Sequence, residues 1–421
     1  MLKFKPGFSF GVATAASQIE GGNHASNWSR FCDQGLTKDG SKIQNATQHY
    51  RLYREDTELL ARMGIKEYRM SLEWARINPQ PGYFDSEVFA RYRAELLLLR
   101  EYGIRPLLTF YHFVHPLWFE DLGGFTRPEN NHYFLEYLEK CLEVIGDLVD
   151  DYVTINEPNV YAVLSYLFAE WPPARNKLGL TLKVMNNLIF CHLSAYQTIH
   201  RVLPREVRVG FAHHARVFVP LRKNNLLHKW SAKIFKYAFQ SALNKAMLLG
   251  KFSFPFKNIG NFNPGKYSDF IGINYYTRSA VGFFKETTLP DVATNDLGWE
   301  IYPPGIVEVA QESYNLLPVP IYITENGTCD NSDRFRRRYL CEHLQVIVQS
   351  ALPIERYYHW CFVDNFEWKE GEVARFGLVH NDFITQQRTI KKSGYFYQKI
   401  IRDHAIDKDT FAEIMQTESY N

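Results

Sequence analysis

The chain has 421 residues, of which 46% are hydrophobic and 15% aromatic, so it has ample material for a large buried core. Disorder is excluded as the overall class, because disordered chains are poor in apolar and aromatic residues. The 48 Lys and Arg residues nearly balance the 46 Asp and Glu residues, and the net charge of +2 predicts a small neutral partner rather than nucleic acid or membrane.

Eight apolar and β-branched runs predict β-strands. In chain order they cover residues 8–14, 67–74, 105–112, 151–156, 208–214, 269–276, 320–324 and 356–363. Helical periodicity predicts helices at 47–63, 87–102, 131–147, 181–203, 226–249, 305–315, 333–350 and 392–403. Alternation of strand and helix, repeated eight times, is typical of a (β/α)8 TIM barrel, so the predicted fold class is α/β.

No composition shift, Ser/Gly-rich linker or internal repeat interrupts this series. A single catalytic barrel domain over residues 1–421 is therefore predicted, although the length alone would allow two or three domains. The polar segment 404–421 has weak periodicity and is compatible with a frayed C-terminal tail.

The six cysteines are scattered and form no Cys-x-x-Cys pair, which suits a reducing compartment. The segment MLKFKPGFSFGVATAA lacks the regions of a signal peptide, and no run reaches the roughly 18 apolar residues of a membrane span. A cytoplasmic location is expected. The sequence contains no zinc motif and no glycine-rich nucleotide loop, so neither a metal nor another cofactor is expected.

Polar and aromatic side chains are concentrated at the predicted C-terminal ends of the strands, where barrels carry their chemistry. They are Gln18, Glu20, Arg69, Glu73, Trp74, His112, Asn156, Glu157, Asn274, Tyr275, Tyr276, Glu325, Asn326, Trp360, Asp364, Glu367 and Trp368. Amide, imidazole and phenol groups suit the hydroxyls of a sugar, and aromatic faces cover its apolar C–H surfaces. A sugar site is therefore predicted at this end of the barrel.

Two glutamates come directly after or at the end of buried strands: Glu157 in Thr-Ile-Asn-Glu-Pro-Asn (154–159) and Glu325 in Ile-Thr-Glu-Asn-Gly (323–327). The strands and turns are expected to direct both carboxyls into one site. Glycoside cleavage needs one carboxyl that donates a proton to the leaving oxygen, and one carboxylate that faces the positive charge developing at the anomeric carbon. Glu157 and Glu325 supply such a pair.

Seven segments together resemble the family 1 glycoside hydrolases, which include retaining β-glucosidases and β-galactosidases. They are FSFGVATAASQIEG, YRMSLEWARI, TFYHFVHPLWF, TINEPNVYA, DFIGINYYTR, IYITENG and HWCFVDNFEW, the last followed by EGEVARFGLVH. One such motif alone is a weak signal, but several long segments in family order make chance agreement negligible. The resemblance spans nearly the whole chain and implies a glycoside hydrolase acting on O-glycosyl bonds.

The resemblance also implies a role for each matching residue. Glu157 would be the general acid/base and Glu325 the nucleophile of a retaining double displacement, with carboxyls ~5–5.5 Å apart. Arg69 would keep Glu325 ionised, with a buried structural ion pair as the alternative reading. Asn274 and Tyr276 would support the two carboxyls. The residues that would bind the sugar are Gln18, His112, Asn156, Trp360, Glu367 and Trp368.

The substrate implied by the resemblance is an unphosphorylated β-glycoside cleaved from its end, with β-glucosidase activity expected and β-galactosidase or β-fucosidase activity as further options. Relatives acting on 6-phosphorylated sugars usually lack the glutamate equivalent to Glu367, and a carboxylate repels a phosphate. Phe113 stands where many members have Trp, which leaves the glycone preference open. Candidate aglycone platforms, with loop packing as the alternative, are Trp118, Trp171 and Trp299.

Two other functions remain open at this point. A transglycosidase would use the same residues and pass the glycosyl group to an acceptor alcohol instead of water. A barrel that binds a glycoside or a partner protein without turnover is also compatible with the fold, although loss of function usually removes a catalytic carboxylate. The sequence does not indicate an oligomeric state.

Overall fold

The computed structural model describes residues 1–420. Its strands are β1 (Leu2–Lys3), β2 (Ser9–Ala13), β3 (Glu67–Ser71), β4 (Arg105–Tyr111), β5 (Asp151–Asn156), β6 (Arg208–Pro220), β7 (Ile271–Gly282), β8 (Lys285–Thr287), β9 (Ile321–Asn326), β10 (Ile354–Trp360), β11 (Val379–Asn381), β12 (Arg388–Ile390) and β13 (Ala405–Ile406). Eight of these strands are parallel and pair in the order β6-β5-β4-β3-β2-β10-β9-β7, and β6 pairs with β7 to close the ring. Each predicted strand corresponds to one barrel strand, which confirms the (β/α)8 fold.

The helices surround this barrel. They are α1 (Ala16–Ile19), α2 (Asn27–Asp33), α3 (His49–Arg62), α4 (Trp74–Ile77), α5 (Ser86–Glu101), α6 (Leu117–Asp121), α7 (Asn131–Ile145), α8 (Pro158–Tyr166), α9 (Leu178–Val202), α10 (Leu226–Lys236), α11 (Ala242–Leu249), α12 (Gly305–Leu316), α13 (Arg336–Gln349), α14 (Lys392–Asp403) and α15 (Lys408–Thr417). None of the helices within residues 1–420 is long and apolar enough to cross a bilayer.

Side-chain caps set where several helices begin. The Asp85 carboxylate accepts hydrogen bonds from the backbone N–H groups of Glu87 and Val88 at the start of α5. Asn225 caps α10 and Asp407 caps α15 in the same way. Each cap satisfies N–H groups that have no partner within the helix and typically stabilises it by about 1 kcal/mol.

The N-terminal end of the barrel is closed by a buried ionic cluster. The Arg356 guanidinium donates to Asp151 at 3.0 Å and to Glu67 at 3.4 Å. Gly11 faces this cluster, and a Cβ at that position would lie 2.6 Å from the Glu67 Cβ atom, so only glycine leaves room for the carboxylate. Because charged side chains fill this end, the cleft for a ligand lies at the opposite, C-terminal end of the strands.

The C-terminal segment differs from the frayed tail that its weak periodicity suggested. Residues 405–406 pair with β1, and α15 follows, with Ile414 fully buried. The Glu418 carboxylate accepts a hydrogen bond from Arg337 on α13 at 2.6 Å. Tertiary packing therefore orders this segment where local propensity does not. Asn421, the last residue of the segment, lies outside the described residues.

Candidate active site

Glu157 stands between β5 and α8, with Pro158 at the first helical position. The Glu157 backbone is left-handed, with φ of 41°, a conformation that is uncommon for residues other than glycine and often marks functional positions. The side chain is only 6% exposed. Its Oε1 atom accepts hydrogen bonds from Asn274 Nδ2 at 2.8 Å and from His214 Nδ1 at 2.9 Å. Because both donors approach Oε1, a proton on this carboxyl belongs on Oε2.

Glu325 lies near the end of β9 and is 3% exposed. Its Oε1 atom pairs with the guanidinium of the fully buried Arg69, and its Oε2 atom accepts a hydrogen bond from the Tyr276 hydroxyl. Only glycine fits at the end of the Glu-Asn-Gly turn, because a Cβ on Gly327 would lie 1.8 Å from the Trp360 carbonyl oxygen. Close approach of β9 to β10 thus fixes the backbone that carries Glu325.

One amide network joins the two glutamates. The Asn156 Oδ1 atom accepts hydrogen bonds from Arg69 Nη2 at 2.6 Å and from Asn274 Nδ2 at 3.1 Å. Strand register sets these neighbours, because Asn274 on β7 lies beside Glu325 on β9 and beside His214 on β6. Each glutamate is therefore positioned by residues that also bond to Asn156.

The protonation of each carboxyl depends on the charge of the other. The groups around each carboxyl therefore decide which of the two holds a proton. Burial raises the pKa of Glu325 to about 7, helped by the charge of Glu157 and opposed by Arg69 and Tyr276. Burial acts to raise the pKa of Glu157, but the charge of a cationic His214 and the hydrogen bonds from His214 and Asn274 outweigh burial, so the pKa of Glu157 is lowered. Glu325 faces a cation, which favours its carboxylate form, and the charge state of His214 decides whether Glu157 retains the remaining proton.

His214 contacts Glu157 and Arg216 contacts His214, and neither residue was among the site residues predicted from the sequence. Arg216 Nε donates a hydrogen bond to His214 Nε2 at 2.8 Å, so that ring nitrogen carries no proton and the imidazole is neutral with its proton on Nδ1. Arg216 in turn pairs with Glu286, which also accepts a hydrogen bond from the Ser279 hydroxyl at 2.6 Å. A neutral His214 removes the charge that contributes most to lowering the pKa of Glu157, which favours the protonated form of Glu157. The available sequence signal was the spacing of His214 and Arg216, because residues two apart on a strand point to the same face.

The predicted sugar-binding residues lie close to one another beside the carboxyl pair, and this group of residues is called here the pocket. Gln18 Nε2 donates a hydrogen bond to Glu367 Oε2 at 3.3 Å, and the His112 ring lies 6.0 Å from Trp360 and 6.1 Å from Trp368. Two buried polar atoms, Gln18 Oε1 and His112 Nδ1, have no hydrogen-bond partner among residues 1–420. Buried polar atoms normally have partners, so this pair suits the hydroxyls of a bound ligand.

The charge states within this pocket also follow from its burial. Burial and the positive charge of Arg69 lower the pKa of His112 well below its usual range, so the ring is neutral. Burial, together with the charge of Glu325, raises the pKa of Glu367 to about 8. This raised pKa favours the protonated form of Glu367, whose carboxyl can donate a hydrogen bond to a sugar hydroxyl.

An aromatic cluster supports the pocket from behind. The Phe113 ring lies 4.9 Å from Trp171 and 5.3 Å from Trp368. Trp171 is buried and therefore forms part of the wall instead of an exposed platform. Trp118 donates to a backbone carbonyl at 2.9 Å and packs on a neighbouring tyrosine. Of the three tryptophans considered for the aglycone, only Trp299, which is partly exposed and 5.9 Å from the Tyr276 ring, adjoins the catalytic groups within the described residues.

Comparison with known proteins identifies the family that the sequence motifs resemble, over nearly the whole chain. The family described as Glycosyl hydrolase family 1 matches residues 2–406. The chain is 30% identical to Beta-glucosidase A of Thermotoga maritima, over 96% of this chain and 99% of that protein. It is 26% identical to a Beta-galactosidase of Sulfolobus acidocaldarius, over 97% of both chains.

Solved structures are similar over the same extent. A beta-glycosidase from Pyrococcus horikoshii is 34% identical with a TM-score of 0.89, covering 98% of both chains. A beta-glucosidase from Thermotoga maritima in complex with glucoimidazole is 29% identical with a TM-score of 0.89, covering 97% of this chain and 100% of that one. The agreement thus includes both the sequence and the arrangement of the whole barrel.

Proposed function

The chain belongs to glycosyl hydrolase family 1, and we propose that it cleaves unphosphorylated β-glycosides, chiefly β-glucosides, through a double displacement carried out by Glu157 and Glu325. Membership of the family makes it a glycoside hydrolase acting on O-glycosyl bonds. The observation that supports the two-glutamate mechanism is the network in which Arg69, Asn156 and Asn274 connect the two buried carboxyls.

In the first step the Glu325 carboxylate attacks the anomeric carbon while the bond to the leaving oxygen breaks. Glu157 gives its proton from Oε2 to that oxygen, which leaves as an alcohol. Arg69 and Tyr276 hold the Glu325 carboxylate, so little reorganisation is needed when it attacks. The product of this step is a covalent glycosyl ester on Glu325.

In the second step Glu157, now ionised, takes a proton from water, and the water oxygen attacks the anomeric carbon. The ester bond to Glu325 breaks and its carboxylate is restored, so the anomeric configuration is retained after two inversions.

Asn156 donates one Nδ2 hydrogen to His112 at 3.0 Å, which leaves the second hydrogen for the sugar 2-hydroxyl. A hydrogen bond there strengthens in the transition state.

The preference for an unphosphorylated sugar rests on the lack, among residues 1–420, of a cation near the pocket that has no acidic partner. Lys369 pairs with Glu170 at 3.7 Å, and Arg375 pairs with Asp364 at 3.8 Å. The sequence predicted that a Glu367 carboxylate would repel a phosphate. The raised pKa of Glu367 weakens that argument, because a protonated carboxyl does not repel a phosphate strongly. A phosphate dianion in this buried pocket would instead lack a counter-charge.

We expect kcat/KM for p-nitrophenyl β-glucoside to exceed that for its 6-phosphate by about 10³-fold or more, since burial of an unpaired charge costs several kcal/mol. Initial rates on the two substrates under the same conditions give the ratio. A comparable rate on the phosphorylated substrate would refute the unphosphorylated preference.

The contact between Arg216 and His214 predicts a shift in the pH profile. Arg216→Met removes the donor to His214 Nε2 and leaves Glu286 unpaired, so both changes favour a cationic imidazole beside Glu157. A cation there favours the carboxylate, so Glu157 loses its proton at lower pH, and the basic limb of kcat/KM moves down by about one pH unit or more.

The matched control for this prediction is Arg208→Met at the start of the same strand, where the arginine pairs with Glu355 away from the carboxyls. Its basic limb is expected to coincide with that of the wild type. An unshifted limb in Arg216→Met would mean that Arg216 does not set the protonation of the acid/base.

The proposed function is tested with a panel of p-nitrophenyl glycosides of several sugars in both anomers, using wild type and Glu325→Gln. We expect release from β-anomers only, fastest from the β-glucoside, and loss of release in the variant. No release from any member would favour the binding-protein alternative. A rate that depends on an added acceptor alcohol, with transfer product, would favour the transglycosidase. The single domain and the cytoplasmic location remain predictions.

A further inference from the structure

An exposed apolar patch lies outside the catalytic pocket. It consists of Leu226, Leu227 and Trp230 on the first half of α10, and of Phe283 and Phe284 in the turn between β7 and β8. These five side chains are between 55% and 77% exposed. The ring centroids of Trp230 and Phe284 are 6.0 Å apart, so the helix and the turn form one continuous surface, called here the rim patch.

Helix α10 of the rim patch lies within a basic part of the chain. Residues 207–268 contain eleven Lys and Arg residues and no Asp or Glu, although the whole chain has a net charge of only +2. Exposed cations flank the apolar side chains without an ion pair within residues 1–420: Arg222, Lys223, Lys229, Lys233 and Lys285. The expectation of no membrane partner came from the balanced total charge, which conceals this local excess.

The rim patch lies on the catalytic side of the barrel. Beyond His214, which lies beside Glu157, β6 continues to Pro220, and beyond Asn274 β7 continues to Gly282. At roughly 3.3 Å per residue, these six to eight residues of extended chain cover about 20 Å or more along each strand. Helix α10 and the Phe283–Phe284 turn sit at the ends of these extensions, so they border the open end of the cleft.

We propose that the rim patch binds the surface of an anionic lipid bilayer. Trp, Phe and Leu side chains insert between the headgroups and acyl chains, while the flanking lysines and arginines bind lipid phosphates. A bilayer satisfies both features of the patch at once. A second copy of the chain fits less well, because a two-fold contact through this patch would oppose like charges. Bound in this way, the protein turns the cleft opening toward the membrane surface.

The test is co-sedimentation of the full chain with vesicles of phosphatidylcholine alone and of phosphatidylcholine mixed with phosphatidylglycerol. We expect binding to the anionic vesicles and weakening by salt, as for other basic surfaces. Trp230→Ser with Phe284→Ser, and separately Lys229→Glu with Lys233→Glu, should each lower the affinity by about tenfold or more. Ile384→Ser, at a residue 94% exposed between β11 and β12, is the matched control and should bind like wild type.

Hydrolysis of a soluble aryl β-glycoside, measured for every variant, verifies folding and is independent of membrane binding. All variants are expected to retain the wild-type rate. The proposal is overturned if wild type binds neither vesicle, or if the lysine variant binds anionic vesicles as well as wild type does. It is also overturned if the wild type is a dimer that Trp230→Ser dissociates, since the patch would then be a contact between copies.

Discussion

Glu325→Gly is expected to lower kcat by roughly 10⁴-fold or more, and added azide is expected to restore turnover with a product of inverted configuration. The variant removes the attacking carboxylate but leaves Glu157 and its donors Asn274 and His214 in place. A small anion fits the space that the side chain vacates and attacks the anomeric carbon once, so a β-glycoside gives an α-glycosyl azide. Product configuration is measured by proton NMR.

Retained folding is the control for this experiment, because Arg69 loses its buried partner in Glu325→Gly. Thermal unfolding and ligand binding are therefore compared between the variant and Glu325→Gln, which keeps the side-chain volume and leaves no space for azide. Rescue is expected only in the glycine variant. A folded Glu325→Gly protein that azide does not rescue would assign the nucleophile to another residue.

Glu157→Ala is expected to slow substrates according to how much their leaving group needs a proton. For alkyl glycosides, whose leaving oxygen is strongly basic, kcat/KM should fall by about 10²–10⁴-fold. For dinitrophenyl glycosides, which leave without protonation, the first step should be nearly unchanged and the second step should slow, so the glycosyl-enzyme accumulates. Pre-steady-state release of dinitrophenol should then show a burst.

The matched control for the acid/base is His214→Asn, which preserves Glu157 and replaces one donor to its Oε1 atom by another. This variant should keep the same leaving-group dependence as wild type, with a changed pH profile. Equal losses on alkyl and dinitrophenyl substrates in Glu157→Ala would argue that another group donates the proton.

The apolar runs and turn residues of the sequence were enough to predict the barrel and the places of Glu157 and Glu325 at its strand ends. Each strand is a short apolar run and each crossover helix has a clear apolar period, so elements such as β5 and α14 lie within a residue of their predicted ends. The Asn-Glu-Pro and Glu-Asn-Gly turns have local steric causes in Pro158 and Gly327, which a sequence displays directly. The order of strands in the closed ring follows from the same alternation.

Contacts between distant parts of the chain could not be predicted in this way. The Arg216–Glu286 pair joins residues 70 positions apart, and Glu286 lies on β8, which the strand pattern did not indicate. The order of α15 depends on the pairing of Glu418 with Arg337, 81 positions away. The rim patch depends on the exposure of Trp230 on α10, whereas the sequence predicted only that a helix covers residues 226–249.

The double displacement through Glu325 is tested by trapping the glycosyl-enzyme with a 2-deoxy-2-fluoro-β-glucoside that carries a dinitrophenyl leaving group. Fluorine beside the anomeric carbon destabilises the oxocarbenium-like transition states of both steps, and the activated leaving group restores the first, so the covalent ester accumulates. If Glu325 is the nucleophile, the enzyme gains the mass of one fluoroglucosyl group, located by peptide mapping on Glu325. A label on any other residue, or no label in a preparation that hydrolyses β-glucosides, would contradict this assignment.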